Sequence, residues 1–468
     1  MLNKHRDYVL FFFLAIMLCV KIVILLHKYH EPIWDEAVFM GMGKYIYSGG
    51  ELGLWEAIRP LGLPLILGLF WIIGIDYITA SGFIIFFFAG GSLVLTYLLA
   101  KDLFNKRVAI IAIVLTYITP FFFLFSNRVL TGIPAMFFCL AAVYSFTKKR
   151  LALSALFCFL AFFFRYPAGI ILIAIGILIF ITYYYENSTR KIIKNLKKNP
   201  RPILEFCLTF LFLFLIFLSM NKLFYGSFFQ PLIEASAHQS TYIGNVYGLD
   251  YFIYYPIALI TANALFLAAF YIPARSKKIL IILVPFLLFF FYFQLIPHKT
   301  ERFLIPLLPF LSILAAVGIT RAWKKLRKPI FRIILIMAIL LSATFSIIGC
   351  INSLKAFPDE EPDYVSSYYM FFDNIDFEGV ILTSDPVPAA YTDQKYIHFY
   401  SNPEDGLKRL KTIEADAFIY HPGAFPWNDT KSLKKLEIMK EFIREKSYLA
   451  LNETIRGETR EIYIKKSE

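Results

Sequence analysis

Two neighbouring acids, Asp35 and Glu36, follow directly on the first long apolar stretch of the chain. They lie within residues 30–64, and a second apolar stretch begins at Leu61, so both acids stay close to any bilayer that the chain crosses. Burial beside lipid disfavours the ionised form of an acid, and a carboxylate kept there usually has a partner or a function. We therefore predict that Asp35 acts as a general base at the outer membrane face.

Cations recur in the connections that we place on the same side of the membrane as Asp35. The positive-inside rule disfavours Lys and Arg on an outer face, so those present there need another explanation. A bound anion supplies one, because Arg offers a rigid fork of donors to phosphate and Lys offers a point charge. The predicted phosphate-binding residues are Arg165, Lys299 and Arg302, with Arg128 and His298 as further candidates. Candidates for an acceptor site or a lid are Glu234, His238, Tyr242 and Glu301.

Simpler interpretations of single residues stay open at this point. An arginine at the end of a span, such as Arg128, can reach headgroup phosphates without any bound substrate. The ionisable residues of HKTER (298–302) are also compatible with a solvated loop. For Trp34, an interfacial aromatic belt is the preferred interpretation, ahead of a sugar-stacking site. Lys21, inside the first span, is expected to extend its ammonium group toward the membrane surface.

The composition indicates that a membrane protein positions these residues. Hydrophobic residues make up 58% of the 468 residues and charged residues only 17%, whereas about a quarter of a typical soluble chain is charged. Apolar runs long enough to cross a roughly 30 Å hydrocarbon core as helix recur along the chain. We predict a polytopic α-helical membrane protein with 11 spans, near 8–26, 78–100, 108–125, 130–147, 151–165, 168–186, 203–224, 251–272, 279–296, 303–320 and 330–350.

The basic clusters determine the predicted orientation. With the N-terminus in the cytoplasm, the clusters at 101–107, 148–150, 187–201, 274–278 and 320–329 all fall on the cytoplasmic side, as the positive-inside rule requires. This agreement holds only if residues 61–75, a short run with Pro64 and Gly68, form an interfacial or re-entrant helix instead of a span. The first outer connection, residues 27–77, is therefore expected to carry interfacial helices.

Residues 351–468 differ from the membrane part, residues 1–350, and are predicted to form a small soluble α/β domain outside the membrane. Residues 1–350 hold 32 Lys and Arg against 13 Asp and Glu, whereas residues 351–468 hold 15 against 21. This segregation means that the net charge of +13 is not the signature of nucleic-acid binding. Short β-type runs at 379–384, 395–400, 416–421 and 460–466 alternate with helical patterns at 403–412 and 431–446. The five cysteines lie in or beside apolar runs, so no disulfide framework is expected.

A carboxylate and a group of cations at one membrane face suit the transfer of a sugar from a polyprenyl-phosphate donor. The acid takes the proton of an acceptor hydroxyl that attacks the anomeric carbon, and the cations stabilise the departing phosphate. A single base, with attack from the face opposite the phosphate, predicts inversion at the anomeric carbon. No metal or other cofactor is expected, because Asp35-Glu36 is not an Asp-x-Asp motif and the outward connections of the membrane part carry no second acidic cluster.

In these segments the sequence resembles the GT-C membrane glycosyltransferases, and most of all the branch of dolichyl-phosphate-mannose protein mannosyltransferases and lipid A aminoarabinose transferases. WDEAVFMGMGKYIYSGG resembles the first-loop motif of that family, an Asp-Glu pair followed by an amphipathic helix and a Gly pair. RPLGLP, SNRVLTGIPAMFF and FRYPAG resemble segments that follow this motif in the family. HKTERFLIP resembles the His-Lys-x-x-Arg-Phe segment shared with the lipid-linked mannosyltransferases.

The resemblance implies a GT-C fold and a polyprenyl- or dolichyl-phosphate-linked sugar as donor. By this resemblance Asp35 matches the catalytic acid, and Glu36 matches a companion that binds or orients the acceptor. Arg165, Lys299 and Arg302 match the cations that face the phosphate in the family. The outer soluble domain of such proteins is often accessory, which suits a C-terminal part without a catalytic motif.

Two further features follow from the resemblance. Relatives order an outer loop over the bound lipid, which makes residues 225–250 the candidate lid of this chain. Many relatives carry an acid before the Ile-Pro of SNRVLTGIP, where this chain has Gly132. The role of that acid is therefore absent here or supplied by another residue, for which Glu234 is a candidate.

The sequence thus predicts an inverting hexosyltransferase with mannose as the first guess for the sugar and a protein, lipid or glycan as acceptor. Two alternatives stay open: a transporter or flippase of a lipid-linked sugar, and a catalytically silent scaffold of the same fold. The short loops favour the plasma membrane of a prokaryote, with Asp35 and the C-terminal domain on the extracytoplasmic side.

Overall fold

A computed structural model of the chain describes residues 8–186, 201–241, 246–273, 276–400, 403–425 and 430–466. The chain divides into two compact units that each collect distant segments. The helical unit consists of residues 1–26, 82–230 and 244–356, and the sheet unit consists of residues 27–81, 231–243 and 357–468. The first outer connection and the C-terminal residues, which the sequence analysis assigned to different domains, therefore contribute to the same compact unit.

Apolar helices make up most of the first 353 residues. In the described part of the chain they are α1 (Tyr8–His27), α2 (Trp34–Tyr47), α3 (Gly62–Ile72), α4 (Tyr77–Leu103), α5 (Lys106–Tyr117), α6 (Pro120–Phe125), α7 (Gly132–Thr147), α8 (Leu151–Phe164), α9 (Ile170–Glu186), α10 (Arg201–Tyr225), α11 (Gln230–Thr241), α12 (Leu249–Ala262), α13 (Lys277–Gln294), α14 (Leu308–Lys325) and α15 (Pro329–Ser353). Short 3-10 helices cover Tyr166–Gly169, Ala264–Tyr271, Glu301–Leu307 and Leu354–Ala356.

Six helices among the described residues are long and apolar enough to cross a membrane. They are Tyr8–His27, Tyr77–Leu103, Arg201–Tyr225, Lys277–Gln294, Glu301–Lys325 and Pro329–Ala356. The pair Leu249–Ala262 and Ala264–Tyr271, bent by 106°, gives a seventh if the pair is one span. The chain is thus a helical membrane protein, and the count of eleven spans stays a prediction.

The remaining predicted spans correspond to shorter or interrupted helices. The run predicted at 108–125 forms α5 and α6, which are interrupted at Thr119, because the residue before a proline is driven out of helical conformation. The run at 61–75, predicted to be interfacial or re-entrant, forms the 11-residue helix α3 in the sheet unit.

A six-stranded sheet organises the sheet unit. Its strands are β1 (Gly53–Leu54), β2 (Val380–Thr383), β3 (Lys395–His398), β4 (Ala417–Tyr420), β5 (Ser447–Ile455) and β6 (Glu458–Lys465), in the order β1-β3-β2-β4-β6-β5. Strands β1 to β4 pair in parallel, whereas β5 and β6 are antiparallel to their neighbours. All four strands predicted in the C-terminal part lie in this sheet, and β1 and β5 are additions that the sequence analysis did not predict.

Helices cover the C-terminal part of this sheet. They are α16 (Phe371–Asn374), α17 (Pro388–Tyr391), α18 (Pro403–Thr412) and α19 (Thr430–Lys446). The core beneath α18 and α19 contains Leu382 and Phe418 from the sheet together with Met439 and Ile443 from α19. Trp34, the first residue of α2, packs against this same core, so the acid-bearing loop is built into the sheet unit.

Glycines allow α2 to approach its neighbours closely. A Cβ atom on Gly43 would lie 2.7 Å from the backbone nitrogen of Gly68 in α3, and one on Gly41 would lie 2.9 Å from the Cβ of Leu54 in β1. Gly53 has a φ of +80°, which only glycine adopts without strain. Gly41 and Gly43 therefore have a packing function, and they fix the helix that carries Asp35.

Candidate functional site

Asp35 lies in the first turn of α2 and forms an ion pair with Arg59. The guanidinium Nη2 of Arg59 is 2.8 Å from Oδ1 of Asp35, and its Nε is 2.9 Å from Oε2 of Glu56. Burial acts to lower the pKa of Arg59, but the carboxylates of Asp35 and Glu56 outweigh it and the pKa lies above its ordinary value. The two carboxylates therefore share one guanidinium.

The environment of Asp35 suits a carboxylate that accepts a proton. The positive end of the α2 dipole and the guanidinium of Arg59 both stabilise the ionised form. The side chain of Asp35 is 16% exposed, so it is sheltered but reachable.

Glu36, the neighbour of Asp35, has a different position in the structure. Its side chain is buried, and its Oε2 accepts a hydrogen bond of 2.8 Å from the backbone N–H of Ile33. This is the reciprocal half of a helix N-terminal cap, in which the third helical residue reaches back to the residue before the helix. Glu36 therefore stabilises the start of α2, and its role toward an acceptor stays a prediction.

Ion pairs anchor both ends of the loop that carries Asp35. Before α2, the carboxylate of Glu31 is buried and is bound by Arg456 and by the hydroxyls of Tyr364 and Tyr369. At the far end of α2, Lys44 is buried.

The ammonium group of Lys44 lies 3.0 Å from Asp393 and donates to the carbonyls of Ala390 and Thr392. Since these partners come from residues 357–468, the C-terminal part of the sheet unit fixes the position of α2.

In the helical unit, three of the predicted donor-site residues meet at one aromatic ring. The guanidinium carbon atoms of Arg165 and Arg302 lie 5.2 Å and 5.7 Å from the centroid of Phe303, and the ring of His298 packs edge-on at 5.7 Å. Nη1 of Arg165 also donates to the hydroxyl of Thr131 at 3.3 Å. Arginine above an aromatic face keeps its donor fork available in the plane of the guanidinium. The structure thus brings Arg165, Arg302 and His298 together.

Lys299 lies in a pocket of aromatic rings and carbonyl groups. Its ammonium is 4.1 Å from the centroid of Tyr251 and 4.9 Å from that of Tyr255, and it donates to the carbonyls of Phe293 and Gln294. Burial lowers the pKa of Lys299 to about 8. Among the described residues, no carboxylate lies within ion-pair distance of this ammonium group.

An apolar cavity lies beside Lys299. It has a volume of about 610 Å³ and is lined by Tyr247, Gly248, Leu249, Tyr251, Phe252 and Pro297. Tyr251 therefore contacts both the cavity and the ammonium group of Lys299. A cation that shares a tyrosine with an open apolar cavity suits an amphiphile with an anionic head.

Two other cations have partners within the helical unit. Nη2 of Arg128 donates to the backbone carbonyl of Ala356 at 2.7 Å, and its side chain is buried. This contact gives Arg128 a structural function at the end of the last long helix, and its predicted contact with phosphate stays a prediction. Lys21 was expected to extend to the membrane surface, but it is buried and donates to Oδ1 of Asn127 at 2.9 Å.

The acceptor and lid candidates belong to different units of the chain. Oε1 of Glu301 accepts a hydrogen bond of 2.8 Å from the hydroxyl of Tyr254 in the helical unit. Glu234 is half-buried on α11 within the sheet unit. His238 also lies on α11, and Tyr242 lies outside the described residues. The predicted lid, residues 225–250, contains α11 and stays a prediction.

The sequence analysis missed Arg59, Glu56 and Phe303. Arg59 is a cation in a connection placed on the outer face, so the rule that selected Arg165 and Lys299 should have selected it as well. Glu56 is separated from Asp35 by 21 positions, and only the turn around β1 brings the two acids to one guanidinium. Phe303 is one of many phenylalanines and carries no signal of its own.

A comparison with known protein families assigns the chain to one of them. The Alg9-like mannosyltransferase family matches residues 56–361, about two thirds of the chain. The chain belongs to the Alg9-like mannosyltransferase family. It is therefore a member of a family of GT-C glycosyltransferases, and the resemblance found in the sequence is confirmed.

Solved structures of other GT-C glycosyltransferases share the fold of this Alg9-like family member. ArnT from Cupriavidus metallidurans bound to undecaprenyl phosphate has a TM-score of 0.64 at 11% identity, with 97% of each chain covered.

The oligosaccharyltransferase AglB from Archaeoglobus fulgidus, in complex with an inhibitory peptide and a dolichol-phosphate, has a TM-score of 0.59 at 11% identity, with 98% of this chain and 75% of that chain covered. The mycobacterial arabinofuranosyltransferase AftD has a TM-score of 0.55 at 10% identity, with 97% of this chain but only 40% of that chain covered. No curated protein sequence matches the chain.

Proposed function

We propose that this protein is an inverting mannosyltransferase that moves a hexose from a polyprenyl-phosphate donor to an acceptor hydroxyl. The observation that carries the proposal is the Asp35 carboxylate in the first turn of α2, paired with Arg59 and sheltered from bulk water. Asp35 removes the proton of the acceptor hydroxyl as its oxygen bonds to the anomeric carbon. The bond from that carbon to the phosphate oxygen breaks at the same time, and its electron pair leaves with the polyprenyl phosphate.

In this proposal, cations of the helical unit bind the phosphate of the donor. Lys299, Arg165 and Arg302 bind the phosphate and stabilise the charge that develops on it as the sugar leaves. The cavity beside Lys299 holds the first part of the polyprenyl chain. The structures of ArnT with undecaprenyl phosphate and of AglB with a dolichol-phosphate support a lipid phosphate as the donor class.

The proposal places Asp35 and the sheet unit on the extracytoplasmic side of a prokaryotic plasma membrane. This orientation keeps every basic cluster of the sequence in the cytoplasm. Mannose is the first candidate for the sugar because of the family to which the chain belongs.

Replacement of Asp35 by Asn tests the base. The amide keeps the size of the side chain but cannot accept the proton, so transfer should fall by about 1,000-fold, within the range for loss of a general base. The matched control is Asp359→Asn, which removes an ion-paired acid from an exposed position of the same unit and should leave transfer unchanged. Transfer is measured with purified protein in vesicles and radiolabelled undecaprenyl-phosphate mannose, with native host membranes as the acceptor source.

The results of this experiment distinguish an enzyme that uses Asp35 as base from a flippase and from a silent scaffold. If Asp35→Asn transfers sugar at nearly the rate of the unmodified protein, Asp35 is not the base. A flippase would transfer no sugar in either form and would move the labelled lipid across the vesicle membrane with or without the substitution. A silent scaffold would do neither. Mass spectrometry of the lipid that co-purifies with the protein identifies the native donor.

A further inference from the structure

Tyr400, in the C-terminal part of the sheet unit, lies beside the acid group of the first loop. It follows β3, at the carboxyl end of a parallel strand, which is the edge where α/β sheets commonly bind ligands. Its ring packs edge-on against Trp34, with centroids 4.6 Å apart, and Trp34 directly precedes Asp35. The fold therefore places a phenol from position 400 next to the predicted base.

The hydroxyl of Tyr400 is buried and makes no hydrogen bond within the part of the chain that the structure describes. Tyr400 is only 7% exposed, and its hydroxyl oxygen finds no donor or acceptor among the described residues. Other buried tyrosines of this unit are bonded: Tyr396 to Thr392, and Tyr420 to the carbonyl of Leu436. A buried hydroxyl without a partner destabilises a fold, so its persistence points to a ligand that completes it.

The charges around Tyr400 keep its hydroxyl a hydrogen-bond donor. Burial raises the pKa of Tyr400 well above its ordinary value, Glu56 and Asp35 raise it further, and Arg59 acts in the opposite direction. The ring of His398 lies 4.9 Å away, and burial together with the positive charges of Arg409 and Arg59 lowers the pKa of this histidine to about 3. The histidine is therefore neutral, and the phenol stays protonated throughout the physiological range.

We infer that Tyr400 binds the acceptor substrate by donating a hydrogen bond from its hydroxyl. The inference rests on the proposed function, in which the acceptor hydroxyl must lie within reach of Asp35 to lose its proton. The ring contact with Trp34 and the action of the Asp35 and Glu56 charges on the phenol place Tyr400 near the base, where its hydroxyl can donate to another oxygen atom of the acceptor. Tyr400 lies outside residues 56–361, which match the family. Acceptor recognition in this chain thus uses a residue that the family match does not include.

Replacement of Tyr400 by Phe tests the inference, because it removes the hydroxyl and keeps the ring against Trp34. We expect the amount of acceptor needed for half-maximal transfer to rise about fivefold, the scale of one lost hydrogen bond, with the KM for the donor unchanged. The substitution should leave the thermal midpoint unchanged or raise it, since it removes an unsatisfied buried group. The probes are radiolabelled undecaprenyl-phosphate mannose as donor and a dilution series of solubilised native host membranes as acceptor.

Tyr420→Phe is the matched control in the same hydrophobic core. Its hydroxyl donates to the carbonyl of Leu436 at 3.2 Å, so its loss should lower the thermal midpoint and leave the half-maximal amount of acceptor unchanged. The opposite responses of the two variants separate substrate binding from a structural role.

The outcomes also separate this inference from the proposed function. If the unmodified protein transfers sugar and Tyr400→Phe needs the same amount of acceptor, the inference fails and the proposed function stands. A change in the donor KM alone likewise overturns the inference. If the unmodified protein transfers no sugar from the labelled donor, the proposed function fails and this inference fails with it.

Discussion

The sheet unit and the helical unit hold their charged residues in different ways. In the sheet unit, Asp35 and Glu56 share the guanidinium of Arg59. In the helical unit, Lys299 is held by two carbonyl groups and two aromatic rings, and Arg165 contacts a hydroxyl and the ring of Phe303. A carboxylate cancels the charge of its partner, whereas a carbonyl or a ring orients a cation and leaves its charge in place. Asp35 and Glu56 are therefore locked in position, and Lys299 keeps its charge for an anion.

Two glycines, Gly43 in α2 and Gly132 at the start of α7, differ in how closely neighbouring atoms approach them. Gly43 of the sheet unit lies so near α3 that any side chain would overlap the backbone of Gly68. Gly132 of the helical unit leaves ordinary space, because a Cβ there would lie 3.6 Å from Ile305. Tight packing fixes the helix that carries the predicted base, whereas the start of α7 tolerates change.

Of the effects that test the comparison of the two units, the largest expected one concerns the charge of Lys299 in the helical unit. Lys299→Met removes the ammonium and keeps an apolar chain of similar length. We expect the KM for the polyprenyl-phosphate donor to rise by about 100-fold, since a contact between charged groups in such a site contributes about 1.5–3 kcal/mol. The rise is measured by donor titration at saturating acceptor.

Lys222→Met is the control for this loss. Lys222 also donates to a carbonyl, that of Gly226, and also lies over a ring, that of Phe228, but it is exposed. Its replacement should leave the donor KM unchanged. Equal donor KM values for Lys299→Met and the unmodified protein would show that the cation of Lys299 serves the fold and not the donor.

The next effect tests the difference in packing. Gly43→Ala forces a methyl group into the backbone of α3, and we expect it to lower the free energy of unfolding by about 2 kcal/mol, as overpacking commonly does. Gly132→Ala meets no overlap and should raise the same quantity by about 0.5 kcal/mol, because alanine restricts the unfolded chain. Unfolding of the purified proteins in detergent measures both. Similar losses in the two variants would remove the contrast between Gly43 and Gly132.

The smallest effect concerns pH. The pKa of Lys299 is about 8, so the ammonium loses its proton as the pH rises through 8, while a phosphodiester donor keeps its charge. The kcat/KM for the donor should therefore fall above pH 8, by up to tenfold per pH unit. In Lys299→Arg this fall should disappear from the range below pH 10, since a guanidinium stays charged there. A fall above pH 8 that persists in Lys299→Arg would assign the titration to another group.

Much of the fold could be predicted because it depends on local patterns. Apolar runs predicted the long helices, and short β-type runs predicted β2, β3, β4 and β6. The strand β1 could not be predicted, since two residues carry no period and the strand exists only through its pairing with β3. The sequence also misjudged Lys21, because its partner Asn127 is 106 positions away.

Some features of the candidate site could likewise be predicted from the sequence, and others could not. The sequence alone determined that Asp35 stands at the edge of an apolar run. It predicted that Arg165, Lys299 and Arg302 lie on the outer face, where cations need a reason. Those inferences use only the residue types and their nearest neighbours in the chain.

Tertiary structure alone decided that Arg59 pairs with Asp35, that Phe303 gathers two arginines, and that Tyr400 packs beside Trp34. Charge and hydrophobicity set which segments enter the membrane, and these are properties of each segment by itself. The partner of a side chain is set by which segments pack together. Trp34 and Tyr400 are in contact only because the first loop packs against residues 357–468, where its strand β1 pairs with β3.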